Sequence, residues 1–148
     1  MTDPAPKRAQ PAEKTHYPLH RTLGTRWQDV DIYGHVNNVV YFSYFDTAIN
    51  GWYLEAGLLD MPATDALFLV VENSAQYFAE IRFPQRVVAG IRVGRLGTSS
   101  VTDDIGRFAG DATTACARGR YTHVLVDATT RRPVPIEGHR RAILETIA

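Results

Sequence analysis

A single cysteine, Cys116, occurs in the 148 residues. One thiol forms no intramolecular disulfide and cannot supply a thiolate zinc cluster, which fits a reducing compartment and makes the cytoplasm the expected location. Net charge is also missing, because sixteen Lys and Arg balance sixteen Asp and Glu. No global field draws the protein to nucleic acid or an anionic membrane, so any anion site has to be local. No window approaches the roughly 18 consecutive apolar residues of a membrane span. The opening MTDPAPKRAQPAEKTH lacks the apolar stretch of a secretory signal. Rich in Pro, Ala, Lys and Glu, it reads as a disordered tail over residues 1–16.

Several chemistries lack their signatures. There is no G-x-S-x-G elbow to strain a serine nucleophile. No G-x-x-x-x-G-K loop is present, and Gly94-Arg95-Leu96-Gly97 has too short a glycine spacing to cradle phosphates. The five histidines are scattered, and the one i, i+4 pair, His16 and His20, brackets Pro18 without the zincin glutamate. The expectation is therefore a protein with no metal and no redox cofactor.

What is present is ordinary soluble composition, 45% hydrophobic and 22% charged, in a length that suits one domain, expected over 17–148. YPLHRTLGTRW carries some alternation and predicts a first strand before the polar turn QDVDIYGH. In NNVVYFSYFDTAINGWYLEAG, Tyr41, Phe45, Ala48, Ile49, Trp52 and Tyr53 recur at helical spacing, with further apolar residues between them. Asn37 or Asn38 can cap this helix and Gly57 can end it. After Pro62, ALFLVVENSAQYFAEIRF, QRVVAGIRVGRLG, SSVTDDIGRFAG and TTACARGRYTHVLVDATTRRP predict four more strands, and GHRRAILETIA a short terminal helix. A strand, a very apolar helix and then about four antiparallel strands is an α+β order, with a curved sheet as the available wrapper for the helix.

Chemistry concentrates in RWQDVDIYGHVNNVVYFSYFD, residues 26–46. Asp31 falls at a strand end before the glycine turn. The backbone N–H groups around Asn37 and Asn38 fall at the helix start, where they lack intrahelical partners and carry the positive end of the helix dipole. Such donors suit a carbonyl oxygen that becomes negative in a transition state. A carboxylate beside an oxyanion site is the equipment of acyl transfer.

The pattern DxDxxGHVNNxxYxxYxD, from Asp29 to Asp46, resembles the 4-hydroxybenzoyl-CoA thioesterase branch of the hotdog superfamily. Phe83-Pro84, the stretch Val93–Ser100 and the ending VDATTRRPVPI extend the resemblance over residues 17–144. It implies a hotdog fold and hydrolysis of an acyl-CoA thioester to the free acid and CoA. Asp31 would be nucleophile or general base and the Asn38 backbone N–H the oxyanion contact, with His35 and Asn37 in secondary positioning. The DxNxHVNN pattern of plant acyl-carrier-protein thioesterases matches at Asp31, His35, Asn37 and Asn38, but Tyr33 replaces their middle asparagine, which favours the CoA branch. Family members form dimers whose sheets join, often pairing into tetramers, with sites at the subunit interface.

Plainer roles stand beside these. Asp31 could be a turn residue, Asp29 a cap or the partner of an arginine, and His35 a turn anchor. Asn37 and Asn38 cap a helix whatever the protein does. Tyr41, Tyr44, Phe45 and Trp52 read first as core, with Tyr41 as candidate to line an acyl pocket. Ser99 and Ser100 are candidates for substrate contact across a dimer. Arg95, with Arg82, Arg86, Arg131 and Arg132, is a candidate for the CoA phosphates. Two other functions share the architecture: a 3-hydroxyacyl thioester dehydratase, disfavoured by the Asp–His spacing, and a non-catalytic acyl-CoA binding module, disfavoured by the presence of Asp31.

Overall fold

The computed structural model describes residues 10–60 and 65–148. In chain order its elements are β1 (Leu19–Gly24), α1 (Asn38–Ala56), β2 (Ala66–Tyr77), β3 (Arg86–Leu96), β4 (Ser100–Ala109), β5 (Ala117–Asp127) and α2 (Gly138–Glu145). Single 3-10 turns lie at Lys14–His16 and Trp27–Asp29. All five strands pair antiparallel in one sheet of order β1-β3-β4-β5-β2. A curved five-stranded antiparallel sheet packed on one long helix is the hotdog fold.

Helix α1 starts and stops where its sequence dictates. Asn37 is extended, and its side-chain oxygen accepts the Val39 N–H at 2.9 Å, while Gly57 takes the left-handed conformation (φ 81°) that closes the last turn. Between these ends Tyr41, Tyr44, Phe45, Ala48, Ile49, Trp52 and Tyr53 are buried. This i, i+3, i+4, i+7 stripe faces the sheet. The sheet covers that stripe without enclosing the helix, and Val39 and Leu54 stay exposed on the other side. The fit is close at Gly119 of β5, where a methyl group would come 2.7 Å from the Phe45 ring. At the far end of the helix the buried Tyr53 hydroxyl donates to Asp103 Oδ2 at 2.6 Å, and His123 Nδ1 lies 3.6 Å from the same oxygen.

Residues 1–9 of the expected tail, and residues 61–64 with Pro62, lie outside the described residues. Residues 12–14, assigned by composition to the tail, are docked instead. The Ala115 N–H donates to Ala12 O at 2.9 Å, and the Lys14 N–H to Thr113 O at 2.7 Å. These bonds reach a hundred residues along the chain, which composition does not reveal.

Candidate active site

The connection from β1 to α1 is a narrow turn. Val30 and Val36 form a bridge. Inside it the Asp31 N–H donates to His35 O at 3.2 Å and the Gly34 N–H to Asp31 O at 3.1 Å. Gly34 has φ 80°, a conformation that glycine adopts without steric cost. The turn is tied to its surroundings by the Val36 N–H, which donates to Ile81 O at 2.7 Å, and the Asn37 N–H, which donates to Asp29 O at 2.9 Å.

At the tip the Asp31 carboxylate is held from two sides. Oδ1 accepts the Tyr33 N–H at 2.9 Å and Oδ2 accepts Asn37 Nδ2 at 3.3 Å. Asn37 therefore works at both ends of its amide, since its oxygen caps Val39 while its nitrogen orients Asp31. Its backbone carbonyl accepts the Val40 N–H at 3.0 Å. With Val39 and Val40 satisfied, the Asn38 N–H is the first-turn donor that finds no acceptor among the described residues. It lies at the positive end of a 19-residue helix with no acidic residue in its first turn.

Asp31, His35, Asn38 and Tyr41 line one cleft of ≈ 460 Å³, together with Tyr33, Val36 and a second wall, Tyr77–Glu80. The Tyr77 hydroxyl donates to Asn38 O at 3.2 Å, and its ring meets Tyr41 edge-on at 5.0 Å. Burial pushes the Tyr41 phenol up to about 12, so it is a neutral hydroxyl at physiological pH. His35 stacks on Tyr33, with Nδ1 3.3 Å from Val36 O and Nε2 3.7 Å from Glu80 Oε1. Tyr33, which lines the cleft, is exposed, as are Ile32 and Val39 beside lining residues in the chain. Among the described residues no group of three or more His, Cys, Asp or Glu is placed to hold a metal.

The second wall carries no local signal, because Tyr77–Glu80 reads in the sequence only as the tail of a strand. Ser99 and Ser100, candidates for substrate contact across a dimer, and Arg95, a candidate for the CoA phosphates, lie away from this cleft within one chain. Tyr77 lies opposite Ala117 in β5, whereas Ser100 lies opposite Val124. Seven residues of strand separate the two levels, about 23 Å at 3.3 Å per residue. Arg95 lines a separate shallow hollow with Glu72, Thr102 and Arg120.

Asp29 lies beneath the turn, 1% exposed. Its Oδ2 accepts the Tyr44 hydroxyl at 2.5 Å and the Arg26 N–H at 2.9 Å, and its Oδ1 accepts Arg26 Nε and Nη2 at 3.1 and 2.9 Å. Burial alone would raise its pKa, but the bonds from Tyr44 and Arg26 together outweigh burial and hold it below the ordinary 3.8. A carboxyl whose folded pKa lies below its unfolded one stabilises the fold above the unfolded value and loses that contribution as pH falls through the folded one. Asp29 thus supports the fold above pH 3.8 and progressively less below it. Thermal melts from about pH 5 to about pH 2 should fall more steeply for wild type than for Asp29→Asn. Equal slopes would show that Asp29 is not stabilised as its bonds imply.

A thioesterase-like superfamily model matches residues 25–144. The PA5185 protein of Pseudomonas aeruginosa strain PAO1 is 43% identical and superimposes with a TM-score of 0.89, over 93% of this chain and 96% of that one. The PA2801 protein of the same species is 29% identical, with a TM-score of 0.77 over 87% and 97%. Slr0204, a 1,4-dihydroxy-2-naphthoyl-CoA thioesterase from Synechocystis, shares the fold at 16% identity, with a TM-score of 0.75 over 84% and 93%. No curated protein matches the chain.

Proposed function

Because the chain belongs to the thioesterase-like superfamily and is on that ground a thioester hydrolase, we propose that it hydrolyses an acyl-CoA thioester to the free acid and CoA in the cleft beneath Asp31. The observation that carries this reading is the juxtaposition, in one cleft, of the Asp31 carboxylate and the helix-terminal residue Asn38, whose N–H has no acceptor among the described residues. In hydrolysis the carbonyl carbon becomes tetrahedral and its oxygen negative. The Asn38 N–H, with the α1 dipole behind it, stabilises that oxygen. Asp31 either attacks the carbon itself or takes the proton from an attacking water. By the first route the C–S bond breaks, CoA thiolate is expelled, and water hydrolyses the mixed anhydride left behind. By the second the intermediate collapses and the departing CoA thiolate takes up that proton. Asn37 and the Tyr33 N–H fix its carboxylate, His35 and Glu80 form the polar side of the mouth, and Tyr41 and Tyr77 bound the acyl group.

The functional unit we propose is a dimer joined through β2. That strand is a sheet edge 12 residues long, and Leu69, Val70 and Val71 are exposed on it. A bare apolar edge of this length is a template for pairing. Antiparallel pairing of two copies about the middle of β2 would bring the β3–β4 turn of one copy, with Ser99 and Ser100, to the same end of the joined sheet as the cleft of the other. It would also give the apolar rim at Ile32 and Tyr33 something to face. The lone buried cysteine is consistent with a cytoplasmic setting, and no helix among the described residues is long and apolar enough to cross a membrane.

Thiol release from short, long, branched and aromatic acyl-CoA esters, read across a sizing column, tests both parts. The expected result is cleavage of at least one ester, in a peak of twice the 16.5 kDa chain mass. Tight binding with no ester cleaved would favour a binding module, and hydration of crotonyl-CoA a dehydratase. Activity in a monomer peak would remove the interface site.

A further inference from the structure

Arg107 of β4 has no solvent exposure, and its Nε, Nη1 and Nη2 have no hydrogen-bond partner among the described residues. The guanidinium sits 4.1 Å above the Tyr44 ring, with the Tyr41 and Phe45 rings at 5.8 and 5.7 Å. Burial draws its pKa down to about 10, so it remains a cation at neutral pH. An unpaired buried charge disfavours folding, and apolar residues of similar volume usually serve a core at least as well. Its seat against Tyr44 and against Tyr41, a lining residue of the cleft, points to a role at the cleft.

The guanidinium connects to the cleft through Tyr44 and Asp29. Tyr44, under the guanidinium, donates its hydroxyl to Asp29. Asp29 in turn accepts the Asn37 N–H at its backbone carbonyl. Asn37 orients Asp31 and caps the turn from which the Asn38 N–H projects. Three residues, Tyr44, Asp29 and Asn37, therefore connect Arg107 on the sheet to the reacting groups. The cation also lies behind the first two turns of α1, where a fixed positive charge in a dry core adds to the helix-terminal potential.

We propose that Arg107 is a positioning residue for thioester hydrolysis: seated on the Tyr44 ring, it holds Tyr44 and Asp29 and thereby fixes the 29–37 turn and the helix terminus in reactive geometry. This rests on the assignment of the Asp31 cleft as the hydrolytic site. The test is steady-state thiol release, on whichever panel ester wild type cleaves best, by wild type, Asp31→Asn, Arg107→Met, Tyr44→Phe and the Arg107→Met/Tyr44→Phe double variant, each with a thermal melt. Arg107→Met should melt at or above the wild-type temperature, lose about tenfold or more in kcat and keep KM within about twofold. Tyr44→Phe keeps the ring and breaks only the bond to Asp29, so kcat should fall without a change in KM. The double variant should lose less than the product of the two single losses.

A stable Arg107→Met protein with wild-type kcat would overturn the proposal, as would a loss of activity no greater than the loss of folded protein. Should Arg107→Met fail to fold, Tyr44→Phe decides, and wild-type kcat in that variant overturns the link. Failure of the underlying site assignment looks different: wild type cleaves no ester, or Asp31→Asn is as active as wild type.

Discussion

Asp31→Asn is expected to lower kcat by about 10²–10⁴-fold, the range lost when a positioned acid–base group is removed. An amide is neither a usable nucleophile nor a base at neutral pH, so the loss follows by either route. The substitution is nearly isosteric. Its side-chain oxygen can still accept the Tyr33 N–H that Asp31 Oδ1 accepts at 2.9 Å. The second contact is less forgiving, because Asn37 Nδ2 would then face an NH₂ group in place of the carboxylate Oδ2. Asn37 keeps its bond to the Val39 N–H, so the cap survives and stability should change by no more than about 1 kcal/mol. A variant that melts like wild type and has lost its turnover places the carboxylate in the chemistry. One with wild-type kcat leaves Asp31 as a turn residue and nothing more.

Phe45→Ala carries the largest expected effect on stability, a loss of about 3–5 kcal/mol. Phe45 is fully buried in the α1 stripe, against Gly119, near the Tyr121 ring and with the Arg107 guanidinium 5.7 Å from its ring. The sheet is held by its ladders and cannot close over the vacated volume, so both the transfer term and the cavity term are lost. Urea unfolding followed by fluorescence should show a lower midpoint with an unchanged slope. A shift worth less than about 1 kcal/mol would mean that the helix does not use this residue as its anchor on the sheet.

The features legible in the sequence are those set by neighbours along the chain. The stripe from Tyr41 to Tyr53, the cap at Asn37, the stop at Gly57 and the alternation of Val87, Ala89, Ile91 and Val93 arise within a few residues and are found where expected. The cluster Asp31, His35, Asn37, Asn38 and Tyr41 is legible for the same reason, since a turn running into a helix start keeps all five close in space. The sheet order was not legible, because β1 pairs with β3 and β2 with β5, which no local pattern states. The Tyr77–Glu80 wall was hidden by the same non-local pairing. Arg107, in GRFAG, looks like any strand-surface arginine, and its position among Tyr41, Tyr44 and Phe45 exists only once α1 lies on the sheet. Ser99 and Ser100 would meet a substrate only across the proposed dimer, a relation that no local pattern in one chain displays.

In the proposed site one thioester meets both the Asp31 carboxylate and the Asn38 N–H. The most direct measurement is an ¹H–¹⁵N spectrum of the protein titrated with an acyl-CoA analogue in which a methylene replaces the thioester sulfur, which keeps the carbonyl and blocks cleavage. The Asn38 amide proton is predicted to move downfield as the site fills, in wild type and Asp31→Asn alike, because the carbonyl oxygen becomes its acceptor. Saturable binding that leaves the Asn38 amide unmoved would contradict an oxyanion contact at Asn38.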